Sequence, residues 1–119
     1  MRVLYVDDEP DIREIAQIAL SLDPEITVET AASGAEAIVK AIAWRPDVIL
    51  LDVMMPVMDG PSVLEKLRAR PDTQGIRVVF ITARTQAHEI ERFRAMGAAA
   101  VISKPFDPML LASQIRAAE

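Results

Sequence analysis

Asp47-Val48-Ile49-Leu50-Leu51-Asp52-Val53-Met54-Met55-Pro56-Val57-Met58-Asp59-Gly60 is the stretch that decides the fold. Residues 48–51 are aliphatic without interruption, a carboxylate closes the run, and a proline and an Asp-Gly pair follow. A short apolar run bounded by turn residues reads as a strand buried on both faces, the central strand of a parallel sheet. Asp52 then stands where that strand stops. In open α/β sheets ligands bind outside the carboxyl ends of the strands, where strand order reverses. The strand holds Asp52 rigid and the loop exposes it, so the position suits chemistry. The bland alternative is that Asp52 only caps the next helix; Pro56 and Gly60 argue for a longer loop before that helix.

Working outward, the same pattern recurs. Val3-Leu4-Tyr5-Val6 is a β-type run ending in Asp7-Asp8-Glu9-Pro10, with Pro10 suited to the first turn of a helix. Apolar residues at 12, 15, 16, 18, 19 and 22 predict a helix that Asp23-Pro24 stops. Ile26, Val28 and Thr30 alternate with polar residues, as an edge strand would. Ser33 is the expected N-cap of a second helix running to about Trp44. Beyond Gly60, Val63, Leu64 and Leu67 mark a helix that closes before Pro71. Val78-Val79-Phe80-Ile81 ends in Thr82, repeating the arrangement at Asp52. A helix over about 86–96 ends at Gly97, the expected C′ glycine. Ala99 to Ile102 is a further short strand, finished by Ser103-Lys104-Pro105-Phe106. Asp107 is the expected cap of a last helix with Pro108 in its first turn.

Strands alternating with helices predict a doubly wound parallel α/β sheet. The carboxyl-terminal strand ends would then gather Asp7, Asp8, Asp52, Thr82 and Lys104 at one edge. Three crowded carboxylates repel one another unless a cation joins them. With no His or Cys beside them the ion should be hard and oxygen-preferring, Mg²⁺ before Ca²⁺. Lys104 can neutralise a phosphoryl oxygen, and the Thr82 hydroxyl can donate to another. Asp52 is then the nucleophile of an aspartyl-phosphate chemistry. Taken singly, Asp7-Asp8-Glu9 could be a helix-start acid cluster, Thr82 a cap and Lys104 a solvated charge. Their convergence on three strand ends carries the inference.

The bulk numbers exclude several classes. At 119 residues the chain is one domain, 1–119, with an ordinary globular balance of 51% apolar and 26% charged residues. Thirteen basic against eighteen acidic residues give a net charge of −5, and no Lys/Arg run offers a footprint for nucleic acid. No apolar segment approaches the roughly 20 residues that span a bilayer, and acidic residues follow the N-terminal apolar run too soon for a signal peptide. Without cysteine there is neither a disulfide framework nor a thiolate metal site, which makes the reducing cytosol the expected compartment.

The ordered set Asp7-Asp8, Asp52 with Met55-Pro56 and Met58-Asp59-Gly60, Thr82-Ala83, and Lys104-Pro105-Phe106 resembles the receiver domain of two-component response regulators, over the whole chain. The resemblance implies a flavodoxin-like (βα)5 sheet of order 2-1-3-4-5, which the hydrophobicity of the strands also suits, with 48–51, 78–81 and 3–6 central. It implies that Asp52 is the phosphoacceptor for a histidine kinase or histidine phosphotransfer protein. Asp8, Asp52 and the Met54 carbonyl then resemble the Mg²⁺ ligands, with Asp7 helping through a water, and Thr82 and Lys104 resemble the phosphoryl-sensing pair. The Lys104–Pro105 peptide is a candidate cis bond. Met54 and Arg84 resemble positions that govern water access, and imply a shielded phosphoryl group.

One position departs from the family. Three residues before the lysine, where an aromatic is usual, stands Val101, which has no ring to swing between exposed and buried states. The loop 83–86 and the helix after it are the candidate switching elements in its place. The expected function is therefore a phosphorylation-controlled switch that binds a partner protein through residues 86–118, without an output domain of its own. The alternative is a phosphate shuttle or sink without a switching face. A Mg²⁺ phosphatase fits less well, because its general acid would lie two residues after the nucleophile, at Met54. Homodimerisation through the last two helices is a further expectation. His88 reads as a surface residue and Trp44 as packing.

Overall fold

The computed structural model describes residues 1–118. Among them, five parallel strands form one sheet in the order β2-β1-β3-β4-β5. In chain order the elements are β1 (Arg2–Val6), α1 (Pro10–Ser21), β2 (Thr27–Ala31), α2 (Gly34–Trp44), β3 (Val48–Asp52), α3 (Gly60–Arg68), β4 (Arg77–Thr82), α4 (Ala87–Ala95), β5 (Ala100–Ser103) and α5 (Leu111–Ala117). This is the flavodoxin-like doubly wound arrangement. All five residues of β3 are buried, as expected of a strand covered on both faces. No described helix is long and apolar enough to cross a membrane.

The period-two alternation of the strands divides the core into two layers. On one face Val3, Tyr5, Val48, Leu50, Val79, Ile81 and Ile102 pack against Ala16 and Leu20 of α1 and Leu111 and Ile115 of α5. On the other Leu4, Val6, Ile49, Leu51, Val78 and Phe80 pack against Ala37 and Ala41 of α2, three residues of α3 and Phe93 of α4.

Local chemistry sets most of the boundaries. Pro10 occupies the first turn of α1. The Ser33 side chain accepts from Glu36 N at 3.1 Å and starts α2. At the end of α4, Gly97 takes φ +106°, Gly97 N donates to Arg94 O, and Ala98 N donates to Phe93 O, the paired bonds of a Schellman cap.

Most boundaries fall within a residue of the sequence reading, and the last helix departs furthest. β2 and β5 each begin one residue later than expected. The last helix begins at Leu111 rather than Pro108, because Asp107 Oδ1 accepts from Met109 N at 2.9 Å and Leu110 N returns to Asp107 O. Those bonds make a tight turn that must close before helical pairing starts, so the capping aspartate sits one turn further from the helix than its sequence position implied. Thr73, in a segment read as a polar loop, is fully buried and donates to Leu67 O at 2.7 Å, closing α3.

Gly60 fixes the loop between Asp52 and α3. A β-carbon there would lie 2.7 Å from the Asp52 carbonyl oxygen and 2.9 Å from Val53 Cα, both of them backbone atoms with little freedom to yield. Gly60 N also donates to Val53 O at 2.9 Å. Gly60→Ala is expected to lower unfolding stability by about 1–3 kcal/mol, read by urea denaturation. An unchanged midpoint would mean that this loop relaxes freely.

Candidate functional site

The carboxyl-terminal edge of the sheet brings together residues that are 97 positions apart in the chain. Asp7 follows β1, Asp52 ends β3 and Lys104 follows β5. Asp7 continues the row Val3–Tyr5, Asp52 the row Val48–Leu50, and Lys104 the step from Ile102, so all three extend the rows that face α1 and α5. The Lys104 ammonium lies 3.1 Å from Asp7 Oδ2, 3.3 Å from Asp52 Oδ2 and 3.4 Å from Glu9 Oε1. The Lys104–Pro105 peptide is cis.

Asp7 is fully buried and Asp52 is 3% exposed. Burial and the neighbouring Asp7 charge push the Asp52 carboxyl up to about 6, against the opposing pull of Lys104. Burial pulls Lys104 down, but the hydrogen bond to Asp7 and the charges of Asp52 and Asp7 raise it overall. Asp52 Oδ1 accepts from Met54 N at 3.3 Å. The cap of α3 is Asp59, whose carboxylate accepts from Ser62 N at 2.9 Å, so Asp52 is not spent on capping that helix.

Asp7, Asp8 and Asp52 each offer an oxygen, and these oxygens lie within 4.8 Å of one another. Asp8 is the most solvent-accessible of the three. A set of carboxylate oxygens without imidazole or thiolate suits a hard divalent cation, and one open side leaves room for waters.

Thr82 reaches the same edge but belongs to the row of Val78 and Phe80, on the opposite face. Its buried hydroxyl accepts from Arg84 N at 3.0 Å and so organises the turn after β4. Val101, paired with Phe80 across β4 and β5, is half-buried and packs on the core under α2–α4. Phe80 itself meets Phe93 of α4 edge to face, with centroids 5.0 Å apart.

Three features escaped the sequence reading. Glu9 joins the lysine, which no local pattern could reveal. Tyr5 donates to Asp7 Oδ2 at 3.1 Å, and burial together with the charges of Asp7, Asp52 and Glu9 drives its phenol far above the usual range. The period-two row that places Tyr5 beside Asp7 was the available signal, since a buried tyrosine hydroxyl requires a partner. Val57 takes φ +68° and Met58 N bonds Pro56 O at 2.7 Å, a three-residue turn. A β-branched residue rarely adopts that conformation and so gave no sign of it.

Comparison with known proteins places these observations. The model of the response regulator receiver domain matches residues 3–116. Response regulator Rre1 of Synechocystis sp. is 38% identical over 114 residues, which is 96% of this chain and 49% of that protein. Response regulator PleD of Caulobacter vibrioides is 39% identical over 116 residues, 97% of this chain and 25% of PleD. The chain thus spans about half the length, or less, of these curated relatives. The chemotaxis response regulator CheY4 of Vibrio cholerae superimposes with a TM-score of 0.91 at 35% identity, covering 99% of this chain and 98% of that one. The signal receiver domain of a signal transduction histidine kinase from Syntrophus aciditrophicus gives 0.84 at 31% identity, covering 98% and 88%.

Proposed function

The chain belongs to the response regulator receiver domain family, and on that premise we propose that Asp52 is its phosphoacceptor, taking a phosphoryl group from a histidine kinase or a histidine phosphotransfer protein. The observation that carries this reading is the single ammonium of Lys104 held between the buried carboxylates of Asp7 and Asp52. In the transfer an Asp52 oxygen forms a bond to phosphorus as the phosphorus–nitrogen bond of the donor breaks, and the electron pair returns to the donor's ring nitrogen. Lys104 turns from Asp52 and Asp7 to a phosphoryl oxygen, and Thr82 turns its hydroxyl to another.

Asp8, Asp52 and the Met54 carbonyl would hold Mg²⁺, with Asp7 reaching it through a water. When bound, the ion supplies positive charge against the phosphoryl oxygens. Asp52 must be ionised to take part. With its carboxyl at about 6, Mg²⁺ affinity is expected to be about tenfold weaker at pH 5 than at pH 8. Calorimetric titration at the two values checks this, and a pH-independent affinity would remove Asp52 from the ligand set.

The donor must cover Asp52, and apolar surface surrounds the approach from one side. Ile12 and Ile15 of α1 line a cleft with Lys104, Pro105, Phe106 and Pro108, and Ile18 and Leu22 continue the exposed stripe along α1. This supports α1 and the β5–α5 loop as the donor's docking face. The output face is assigned to residues 86–118, where a downstream protein would sense the phosphorylated state. Residues 83–86, all exposed, are the switching loop in the absence of an aromatic at Val101. The cytoplasm is the proposed compartment.

Amide spectra recorded with Mg²⁺ alone and with Mg²⁺ plus beryllofluoride, which stands in for the phosphoryl group on Asp52, test the reading. Shifts spreading from the pocket to residues 86–118 are expected. Shifts confined to Asp8, Asp52, Thr82 and Lys104 would favour a phosphate shuttle, and no response to beryllofluoride would overturn the phosphoacceptor role.

A further inference from the structure

We propose that Tyr5 is a positioning residue for the transfer, its hydroxyl keeping Asp7 satisfied when Lys104 leaves for the phosphoryl group. The inference rests on Asp52 being the phosphoacceptor and concerns how its lysine is released.

Asp7 Oδ2 has two donors. One is Lys104 Nζ at 3.1 Å and the other is the Tyr5 hydroxyl at 3.1 Å. Asp7 Oδ1 takes Glu9 N at 2.9 Å, so both oxygens of this fully buried carboxylate accept from protein donors. Tyr5 is itself fully buried. Its ring meets the edge of Phe106, centroids 6.1 Å apart, and Phe106 lies two residues beyond Lys104. The same side chain therefore touches the carboxylate at one end and the lysine-bearing loop at the other.

The energetics follow from the arrangement. When Lys104 turns to a phosphoryl oxygen, Asp7 Oδ2 loses an ionic donor, and a buried acceptor that loses a partner is costly. The Tyr5 hydroxyl remains and bears that loss. With phenylalanine at this position Lys104 would be the only donor to Oδ2, and the pocket would hold it back from the phosphoryl group.

Tyr5→Phe isolates the hydroxyl, since it retains the ring and its contact with Phe106. On the full chain, Mg²⁺ is titrated alone, and beryllofluoride is then titrated at saturating Mg²⁺, both followed by amide spectra and by the Lys104 side-chain nitrogen signal. In the variant, Mg²⁺ affinity is expected to stay within about twofold of the native value while beryllofluoride binds about tenfold more weakly. The Lys104 signal should also move less on saturation. A purely structural role would weaken both ligands together, and that result, or an unchanged beryllofluoride affinity, would overturn the proposal. Val79→Ala, which loosens the core layer that holds Tyr5 and keeps the hydroxyl bond, is expected to bind beryllofluoride like the native chain. An equal loss there would assign the effect to packing and also overturn it. If the native chain itself fails to bind beryllofluoride, the phosphoacceptor reading falls and the Tyr5 proposal with it, an outcome visible without any variant.

Discussion

An Asp52→Asn protein is expected to accept no phosphoryl group and yet to be more stable than the native chain in the absence of divalent metal. The loss of transfer follows from removing the nucleophilic oxygen. The gain in stability follows from the carboxyl's environment, where burial and Asp7 raise it to about 6 against the attraction of Lys104. A group whose folded value lies above its unfolded one favours the folded state when protonated. That contribution is complete below the unfolded value of 3.8 and is lost as pH climbs through about 6. At neutral pH the native chain therefore bears a penalty on the order of 1–3 kcal/mol that asparagine does not. Urea unfolding at pH 4, 5 and 7 should show the two proteins diverging between pH 4 and pH 6. Saturating Mg²⁺ should stabilise the native chain alone and narrow the difference. A variant less stable than the native chain at pH 7 would show that the Lys104 interaction outweighs burial and Asp7 repulsion.

Lys104→Met has the larger and opposite effect. The methionine keeps most of the apolar stem but removes the ammonium that lies between Asp7 and Asp52, which stay buried with like charges side by side. Breaking a buried ionic arrangement by deleting one partner typically costs about 3–5 kcal/mol. A loss in that range is expected at pH 7, with a smaller loss at pH 5, where Asp52 takes up a proton and the repulsion fades. Saturating Mg²⁺ should restore part of the stability by supplying positive charge to the same oxygens, while phosphorylation by acetyl phosphate should remain severely slowed because the ammonium that would meet one phosphoryl oxygen is gone and Mg²⁺ does not replace it there. Denaturant unfolding and mass analysis of the phosphorylated protein read the two effects separately. A loss below about 1 kcal/mol would place the carboxylates in effective contact with water.

The two substitutions are coupled, since both act on one cluster, and their double variant should fall well short of additivity. With Asp52 neutralised, Lys104 has Asp7 alone to balance, so its removal should cost less in the Asp52→Asn background than in the native one.

Much of this was legible along the chain. Blocks of aliphatic residues such as 48–51 and 78–81 marked the buried strands, because a strand covered on both faces cannot carry polar residues at either parity. Ser33, Pro10 and Gly97 announced helix ends because the unpaired groups there are met by residues a few positions away. The carboxylates at 7, 8 and 52 were legible as a cluster because parallel strands bring their carboxyl ends to one edge. Other features were not legible. Thr82 falls on the opposite row from Asp52, Glu9 joins Lys104 from a different loop, and Leu111 opens the last helix after a turn that Asp107 closes locally.

The sequence by itself determined the layered sheet, the identity of its central strands and the convergence of acidic residues with one lysine, since hydrophobic periodicity and short-range capping act between neighbours. Only the tertiary structure decided which oxygen of Asp7 is shared by Tyr5 and Lys104 and that Asp52 carries a raised carboxyl. Those outcomes depend on how closely segments up to 97 residues apart approach one another and on how much water the closed core leaves between them, and neither quantity is written in any local pattern.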